Sequence, residues 1–397
     1  MTAIEAALLV VDDNEDNRYT LTRRLDREGY KNLTIATNGR EALEKLKAQP
    51  FDLVLLDIMM PDMNGYEVLE QVKATPALRD IPIIMISSLD EIESVIRCIE
   101  LGAEDYLNKP FNPTLLRARV GASLEKKRLR DEVRSNMERL AQELEAARAL
   151  QLAMLPRQFP ACSPSHPIAV HAVMEPAKEV GGDLYDCFYA GEHTFCFLVG
   201  DVCGKGASAA MFMARARSLV RITVNLWRQW RADDLDPGAL LDAVNRELCQ
   251  DNDDCMFVTM FLGLIDTHSG LLSFANAGHP RPHLIASSGE TGQIDAKAAL
   301  PLGVRREARF PTLTLQIHPG DALFLCSDGV FEAANGDGEL FSVERVGQLL
   351  RQAAAAEPLE MVRIIKDAVD AFTGGASRTD DLTALALRWR PALTTAA

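Results

Sequence analysis

The segment FCFLVGDVCGKG, residues 195–206, joins a strongly apolar run to an acidic, glycine-rich turn. Three further motifs have the same character, namely GGDLYD at 181–186, SDGVFE at 327–332 and RTDDLTAL at 378–385. Each follows or interrupts an apolar stretch that is typical of a β-strand. We therefore expect the aspartates of these motifs at strand ends, where a fold can bring them together. They are Asp183, Asp201, Asp328 and Asp380.

Four carboxylates that converge in one place repel each other unless a cation lies between them. Oxygen ligands suit hard ions, so the motifs predict a site for Mg²⁺ or Mn²⁺. The glycines beside the acids permit tight turns and a close approach of the backbone to an ion. Main-chain carbonyls can then serve as further ligands.

The composition of the chain limits its class and its partners. Its 397 residues are 47% hydrophobic and 25% charged, which indicates a soluble globular protein of two or three domains. The formal net charge of −15 disfavours nonspecific binding to nucleic acid or to an anionic membrane, since both would repel it. The apolar runs are far shorter than the roughly 20 residues of a membrane span. Eight cysteines without a CxxC pair, and no recognisable signal sequence, predict a cytoplasmic protein with reduced thiols.

The first 120 residues alternate strand and helix patterns. Short, β-branched apolar runs at 7–11, 53–56 and 83–86 predict buried parallel strands. Helical periodicity occurs around 15–28, 39–48, 64–74 and 91–101. These patterns predict a doubly wound α/β domain, in which the site lies outside the carboxyl ends of the strands. The polar residues expected there are Asp12, Asp13, Asp57, Ser87 and Lys109.

Through VVDDNEDNR, LVLLDIMMPDMNGYE, IIMISS and DYLNKPF, residues 5–121 resemble the receiver domain of response regulators. The resemblance implies that Asp57 accepts a phosphoryl group from a histidine kinase or a phosphotransfer protein. It also implies that Asp12 and Asp13, together with Asp57, hold Mg²⁺, and that Lys109 offsets the charge of the phosphoryl group. An oxygen of Asp57 would be the nucleophile.

Three further expectations follow from the same resemblance. Ser87 would hydrogen-bond the new phosphate, and Tyr106 matches the aromatic switch residue of the family. We also expect a cis peptide bond before Pro110, by family analogy.

Residues 122–155 are predicted to form a charged helical connector between residues 1–121 and residues 156–392. Between residues 125 and 154 there is neither glycine nor proline, which favours one long helix. Apolar residues at alternating spacings of four and three form a coiled-coil seam and predict a homodimer. The seam comprises Val133, Met137, Leu140, Leu144 and Ala147. The alternative is an amphipathic helix that packs against one of its own domains.

The last part of the chain carries the metal-binding motifs. Strand patterns occur at 168–173, 195–199, 257–265, 272–275, 313–317, 322–326 and 382–387, and helical patterns at 207–230, 237–249, 342–354 and 358–373. Two groups of strands separated by helices predict an α/β sandwich of two sheets flanked by helices.

Residues 148–389 resemble the metal-dependent protein serine/threonine phosphatases of the bacterial stress-response and sporulation branch. The resemblance rests on QLAMLP, EPAKEVGGDLYD, GDVCGKG, NAGHP, PLG, SDGVFE and TDDLTAL, in this order. It implies two metal ions, Mn²⁺ or Mg²⁺, that activate a water for in-line attack on phosphorus. Asp183 and Asp201 would bridge the ions, and the remaining ligands would be the Val202 carbonyl, Asp328, and Asp380 or its neighbour Asp381. Which of the last two binds more directly stays open.

The implied function is a phosphorylation-regulated phosphatase of two-component signalling. By family resemblance, its substrate would be a phosphoserine on an anti-sigma-factor antagonist in a partner-switching pathway. An alternative from another class is a catalytically silent adaptor that binds a signalling partner, which the intact acidic set disfavours. A DNA-binding regulator is disfavoured too, because the chain has neither a basic surface signature nor an identifiable recognition helix.

Other chemistries fit the sequence less well. GDVCGKG lacks one residue between its glycines, and a Ser or Thr after its lysine, that a phosphate-binding loop requires. No cysteine is followed six residues later by an arginine, which disfavours a cysteine phosphatase. We interpret His279 and His283 as structural and Cys203 as a packed thiol. For Lys178 the sequence leaves two alternatives open, contact with substrate phosphate or a solvated surface position.

Overall fold

The computed structural model describes residues 5–88, 92–231, 235–297, 299–376 and 378–391. The outer ends of the predicted domains, residues 1–4 and residue 392, lie outside these ranges. The chain divides into two compact units, Met1–Ala141 and Gln142–Ala397, which we call the N-terminal and the C-terminal unit. Among the described residues, no helix combines the length and the apolar character that crossing a membrane requires.

The N-terminal unit is built on a five-stranded parallel sheet with the strand order β2-β1-β3-β4-β5. Its strands are β1 (Ala7–Val11), β2 (Asn32–Ala36), β3 (Leu53–Asp57), β4 (Ile83–Ser87) and β5 (Asp105–Asn108). The helices between them are α1 (Glu15–Arg27), α2 (Gly39–Ala48), α3 (Gly65–Ala74) and α4 (Ile92–Glu100), and α5 (Pro113–Met154) follows. The structure confirms the predicted doubly wound fold.

Burial on both faces explains why the inner strands are apolar at every position. Leu8 and Val10 of β1 pack with α1 and α5, whereas Leu9 and Val11 pack with α2 and α3 on the other face. A parallel sheet covered by helices on both sides requires such continuous apolar strands. Strands β2 and β5 were not predicted, because NLTIA and DYLN at the sheet edges lack an apolar run.

The predicted connector is the continuation of the last helix of the N-terminal unit. The structure confirms a single unbroken helix, and α5 begins at Pro113, before the predicted start of the connector. Three seam residues, Val133, Met137 and Leu140, are exposed by 58%, 67% and 56% of their surface. The dimer that this seam suggests stays a prediction.

The C-terminal unit contains two antiparallel five-stranded sheets, with the orders β13-β10-β9-β8-β7 and β12-β11-β14-β15-β6. The first sheet consists of β7 (Leu184–Tyr189), β8 (Thr194–Val202), β9 (Val258–Asp266), β10 (Leu271–Ala277) and β13 (Leu313–Gln316). The second consists of β6 (Ile168–Glu175), β11 (His283–Ile285), β12 (Thr291–Gln293), β14 (Ala322–Cys326) and β15 (Leu382–Trp389). Its helices are α6 (Ala207–Arg231), α7 (Pro237–Leu248), α8 (Asp328–Phe331), α9 (Val343–Gln352) and α10 (Pro358–Thr373).

The two sheets pack face to face, and helices cover their outer faces. The largest core cluster joins Phe197 and Phe261 of the first sheet to Leu325 and Leu385 of the second. Alternate residues of the second sheet, such as Phe324, pack instead with α9 and α10. This arrangement confirms the predicted sandwich of two sheets flanked by helices, and it leaves the strand ends free to carry the acidic motifs.

Candidate functional site

The acidic residues of the N-terminal unit form a tight cluster at the carboxyl ends of the strands. Asp12 follows β1 and Asp57 ends β3, and both side chains are buried. The ammonium Nζ of Lys109 lies 2.8 Å from Asp12 Oδ2 and 2.8 Å from Asp57 Oδ1. Asp13, which is exposed, offers a carboxylate oxygen within 4.8 Å of ligand oxygens of Asp12 and Asp57. Three carboxylate groups at this spacing can hold a hard cation such as Mg²⁺.

The electrostatics of this cluster suit a nucleophilic carboxylate. Burial raises the pKa of Asp57 to about 6; the hydrogen bond from Lys109 opposes this shift, whereas the charge of Asp12 adds to it. Burial lowers the pKa of Lys109, but its hydrogen bonds to Asp12 and Asp57 outweigh that effect and raise it. The lysine therefore stays charged and holds the Asp57 oxygen in place.

The other predicted receiver residues surround the same strand ends. Ser87 is buried at the end of β4, directly beside β3 in the sheet. Tyr106 lies in the neighbouring strand β5 and is half-buried. The peptide bond between Lys109 and Pro110 is cis, as expected.

In the C-terminal unit, strand pairing brings the four acidic motifs together. β7 pairs with β8 so that Leu184 lies opposite Gly200, which puts Asp183 and Asp201 at the same end of this hairpin. β14 pairs with β15, and the backbone amide of Ser327 donates to the carbonyl of Thr383, which places Asp328 near the start of β15. Two motifs thus follow or end strands, and two precede them.

A hydrogen bond across the two sheets joins these hairpin ends. The Ser327 hydroxyl donates to Asp183 Oδ2 at 2.7 Å, and both side chains are buried. Ser327 Oγ also accepts from the amide of Thr383 at 3.1 Å. Ser327 was not predicted as a site residue, although it stands directly before Asp328 in the SDGVFE motif. Its role becomes visible only when the sheets are stacked.

Asp381 binds the loop that carries the first motif. Its Oδ1 accepts from the amide of Ala177 at 2.8 Å, and its Oδ2 accepts from the amides of Gly182 at 2.6 Å and Asp183 at 3.4 Å. A Cβ atom on Gly181 would lie 2.4 Å from Asp381 Oδ2, so this close approach requires glycine. Asp381 therefore uses both oxygens to position the GGD backbone.

Asp380 has a different environment from its neighbour. Its side chain is 40% exposed and its Oδ2 lies 3.2 Å from Lys205 Nζ. Lys205 also donates to the carbonyl of Thr379. The lysine of GDVCGKG thus links the second motif to the fourth. Of the two adjacent aspartates, Asp380 has the carboxylate that is more available to an ion.

Burial and mutual repulsion raise the pKa values of three of these aspartates. Burial, followed by the charge of Asp201, raises the pKa of Asp183 well above its ordinary range. Burial and the charge of Asp328 raise the pKa of Asp201 to about 7. The pKa of Asp328 is raised by burial and by the charges of Glu332 and Asp380. Carboxyl groups with raised pKa values in one place bind either protons or a multivalent cation.

The donor set fits a hard metal ion, although the acids do not form a tight group. In the part of the chain that the structure describes, only Asp12, Asp13 and Asp57 form a group of three with ligand atoms within 4.8 Å of each other. The Val202 carbonyl faces the GGD loop, because a Cβ atom on Gly182 would lie 2.7 Å from it. Carboxylate and carbonyl oxygens are the ligands that Mg²⁺ and Mn²⁺ prefer.

The end of helix α5 contacts the GGD loop directly. The Gln151 side chain is buried, its Nε2 donates to the carbonyl of Gly181, and its Oε1 accepts from the amide of Gly181 at 3.1 Å. This pair of hydrogen bonds holds both backbone polar groups of Gly181, two residues before Asp183. Gln151 is the first residue of the motif QLAMLP, but no role was predicted for it.

A second unpredicted contact involves the last aspartate of GGDLYD. Asp186 is fully buried and accepts from Arg221 at 2.8 and 2.6 Å, while Arg217 lies 3.1 Å away. Both arginines belong to α6, the helix that follows the GDVCGKG loop. This ion pair fixes α6 against β7, and hence the second motif against the first.

The remaining predicted residues have structural surroundings. His279 is buried in the turn of NAGHP, and its Nδ1 lies 3.0 Å from Thr259 Oγ1. Cys203 Sγ accepts from the amide of Phe257 at 3.1 Å. These contacts agree with the interpretation of His279 as structural and of Cys203 as a packed thiol. Lys178 lies in the loop before Gly181.

Each of the two units matches the model of a known protein family. Residues 191–390, half of the chain, match the family described as Stage II sporulation protein E, and residues 8–121 match the response regulator receiver domain. Protein IcfG of Synechocystis sp. is 32% identical over 276 residues, which is 64% of this chain and 42% of IcfG. The alkaline phosphatase synthesis transcriptional regulatory protein PhoP of Bacillus subtilis is 41% identical over 117 residues, 30% of this chain and 48% of PhoP.

A solved structure shares the fold of the C-terminal unit. The SiaA-PP2C domain of Pseudomonas aeruginosa aligns with a TM-score of 0.56 at 22% identity and covers 64% of this chain and 98% of that domain. At this identity the likeness concerns the fold alone. The chain spans less than half the length of the two curated relatives described above.

Proposed function

This chain belongs to the Stage II sporulation protein E family and carries a receiver domain, and from this premise we propose that it is a metal-dependent protein serine/threonine phosphatase regulated by receiver phosphorylation. The observation that carries the proposal is the convergence of Asp183, Asp201 and Asp328 at adjoining strand ends of two packed sheets. Burial and mutual repulsion raise the pKa values of all three carboxyls. Among the described residues, no lysine or arginine forms an ion pair with these three carboxyls, so the cluster is suited to bind an external cation.

The proposed metal ligands are Asp183, Asp201, Asp328, Asp380 and the Val202 carbonyl. When bound, two such ions lower the pKa of a water and stabilise the charge that develops at phosphorus. The preferred ion is either Mn²⁺ or Mg²⁺. In this proposal Asp381 is a positioning residue, since both of its oxygens accept backbone amides of the loop before β7. The orientation of the Asp183 side chain is restricted, because the Ser327 hydroxyl donates to its Oδ2 at 2.7 Å.

We propose that Asp57 is the phosphoryl acceptor in the receiver domain. A phosphohistidine on a histidine kinase or phosphotransfer protein would supply the phosphoryl group, and an Asp57 oxygen would form the new bond to phosphorus as the bond to histidine breaks. Asp12 and Asp13, with Asp57, would hold Mg²⁺ near that oxygen. Lys109 already contacts Asp57, so its charge is positioned to offset that of the phosphoryl group.

We further propose that the substrate is a phosphoserine on an anti-sigma-factor antagonist, and that the protein acts as a cytoplasmic homodimer. The support for the dimer is the exposed seam of α5. Glutamates at Leu140 and Leu144 should convert a dimer into a monomer by light scattering, whereas Leu150→Glu, exposed on the same helix outside the seam, should not. A wild-type monomer, with and without acetyl phosphate, would contradict the dimer.

Hydrolysis of p-nitrophenyl phosphate by the full chain tests the enzymatic proposal. We expect turnover that requires Mn²⁺ or Mg²⁺ and disappears with EDTA. Phosphorylated antagonist proteins, assayed with and without acetyl phosphate, then identify the substrate and the direction of regulation. A folded protein that is inactive on all substrates at every metal concentration would instead support the adaptor.

A further inference from the structure

A groove in the C-terminal unit adjoins the acidic cluster. Its volume is about 410 Å³, and the residues that line it include Thr259, His279, Arg281, His283, Gln293 and Asp328. This volume lies in the range of roughly 300–1,000 Å³ that is common for pockets of drug-sized ligands. It therefore has room for several groups besides one phosphate. We call it the Asp328 groove.

One wall of the Asp328 groove is rigid and presents Arg281. Arg281 stands between Pro280 and Pro282, and the ring of each proline fixes that proline's own backbone angle φ. The Pro282 carbonyl accepts from the amide of Ile294 at 2.9 Å, which ties this segment to the strand beside it. The following residue, His283, pairs in register with Gln293 of β12 and with Phe324 of β14. The backbone of Arg281 is thus held in place before any ligand binds.

Arg281 supplies the positive charge of the Asp328 groove. Burial lowers the pKa of His279 to about 3 and also lowers that of His283, so both histidines are neutral. Arg281 is exposed, and among the described residues no acidic group lies within 4.0 Å of its guanidinium. The other charged residues of the groove are Asp328 and Glu332. The arginine is therefore available to an anionic group that the protein itself does not supply.

The lining also contains apolar surface. Phe331, Val343 and Val346 contribute side chains from α8 and α9. A polypeptide segment offers apolar and charged groups together, whereas a free phosphate offers only charge. Arg281 lines the same groove as Asp328 and Glu332 but forms no ion pair with either carboxylate.

We propose that the Asp328 groove binds the polypeptide segment around the phosphorylated serine, and that Arg281 pairs with an acidic side chain flanking that serine. The proposal rests on the phosphatase function proposed above and adds a preference for acidic sequence. Arginine suits this role because its planar guanidinium pairs with a carboxylate in bidentate geometry.

Two synthetic phosphoserine peptides test the inference, one with alanine and one with glutamate beside the phosphoserine. The measured quantity is the ratio of kcat/KM for the glutamate peptide to that for the alanine peptide, with the full chain, Mn²⁺ and low salt. We expect a ratio of about five in the wild type, equivalent to about 1 kcal/mol at 1.4 kcal/mol per tenfold. Because both values come from one preparation, the ratio does not depend on the fraction of active protein.

The variants should change this ratio in a defined order. Arg281→Gln should reduce it to about one, and Arg281→Glu should invert it through repulsion of the glutamate peptide. Arg306→Gln removes an exposed arginine outside the groove and should keep the wild-type ratio. Added salt should lower the wild-type ratio, because exposed ion pairs are screened.

An equal ratio in the wild type and in Arg281→Gln would overturn the inference. A proportional loss on both peptides and on p-nitrophenyl phosphate would also overturn it, since Arg281 would then contact the phosphate itself. If the wild type hydrolyses none of the three substrates, the proposed function is wrong. Binding of the fluorescently labelled glutamate peptide then decides the inference, and equal affinity for wild type and Arg281→Gln would refute it.

Discussion

The two acidic clusters of this protein differ in the source of their positive charge. In the receiver, Lys109 contacts Asp12 and Asp57 at 2.8 Å each, so the chain itself neutralises part of the cluster. In the C-terminal unit, Asp183 is buried beside a hydroxyl and a second carboxylate. The lysine of the GDVCGKG motif, Lys205, pairs instead with the more exposed Asp380.

Buried carboxylates that repel each other need a bound proton or cation to offset their charge. In the receiver, the hydrogen bond and the charge of Lys109 oppose the effect of burial on Asp57, whose pKa is raised to about 6. Carboxylates that face each other out of water favour a proton or an external cation. The receiver site is therefore preformed, whereas the C-terminal site depends more strongly on ion binding.

The largest expected effect tests the C-terminal cluster. Alanine at Asp201 or Asp328 should reduce Mn²⁺-dependent hydrolysis of p-nitrophenyl phosphate at least 100-fold, because a ligand of the proposed ions is lost. This corresponds to about 2.7 kcal/mol in the barrier. Asp337 is an exposed aspartate in the loop that follows α8, and the control variant Asp337→Ala should remain active. If either variant folds and keeps more than about a tenth of the activity, the assignment is wrong.

The second prediction tests the receiver cluster. Acetyl phosphate and Mg²⁺ should add one phosphoryl group to the wild type, and Asp57→Asn should abolish this labelling, as measured by intact mass. Asp62→Asn is a matched control in the following loop, where Asp62 has a φ of 66° that asparagine tolerates. Labelling that persists in Asp57→Asn would refute the acceptor. Lost labelling with an unchanged effect of acetyl phosphate on turnover would separate the acceptor from regulation.

The sequence predicted the acids of both clusters because they lie beside apolar strands, and most of those in the C-terminal unit also lie in glycine-containing motifs. It could not separate Asp380 from Asp381, which are chemically identical. Only the folded loop shows that Asp381 accepts backbone amides whereas Asp380 pairs with Lys205. Partners such as Ser327 were missed because nothing in the local sequence reports which sheet a hydroxyl faces.

The fold class was predictable from the apolar strands, whereas strands without an apolar run were missed. Apolar runs mark strands that are buried on both faces, and these runs were sufficient to recognise both architectures. The edge strands β2 and β12 carry polar residues, because most of their side chains are exposed or only half-buried. The strand β7, LYDCFY, was hidden by the acidic motif that overlaps its start.

The third prediction compares the two clusters through pH. The raised pKa of Asp201, about 7 against an ordinary 3.8, means that the folded metal-free protein holds a proton that the unfolded chain releases. Its stability should therefore fall as pH rises from about 4 through about 7. Bound Mn²⁺ keeps the site deprotonated, so the gain in Tm from Mn²⁺ over EDTA should increase by several degrees between about pH 5.5 and 7.5.

Variants assign this pH effect to one cluster. Asp57→Asn should retain most of the pH-dependent gain in Tm, because the pKa of Asp57 is raised less, to about 6, than the pKa values of Asp183 and Asp201. Asp201→Asn should flatten it. A gain that is lost in Asp57→Asn and kept in Asp201→Asn would reverse the comparison between the two clusters.

The smallest expected effect concerns Gln151, which extends the comparison to the backbone that supports the C-terminal cluster. Its side-chain amide makes hydrogen bonds to both the N–H and the C=O of Gly181, and a buried group that loses such a partner costs about 1–3 kcal/mol. Gln151→Ala should therefore raise the Mn²⁺ concentration for half-maximal turnover about tenfold, with a smaller change in kcat at saturating metal. Gln142→Ala removes an exposed glutamine from the same helix and should have no such effect. If Gln151→Ala lowers Tm but leaves the Mn²⁺ dependence unchanged, Gln151 stabilises the fold without positioning the metal ligands, and the GGD loop is held in place by Asp381 alone.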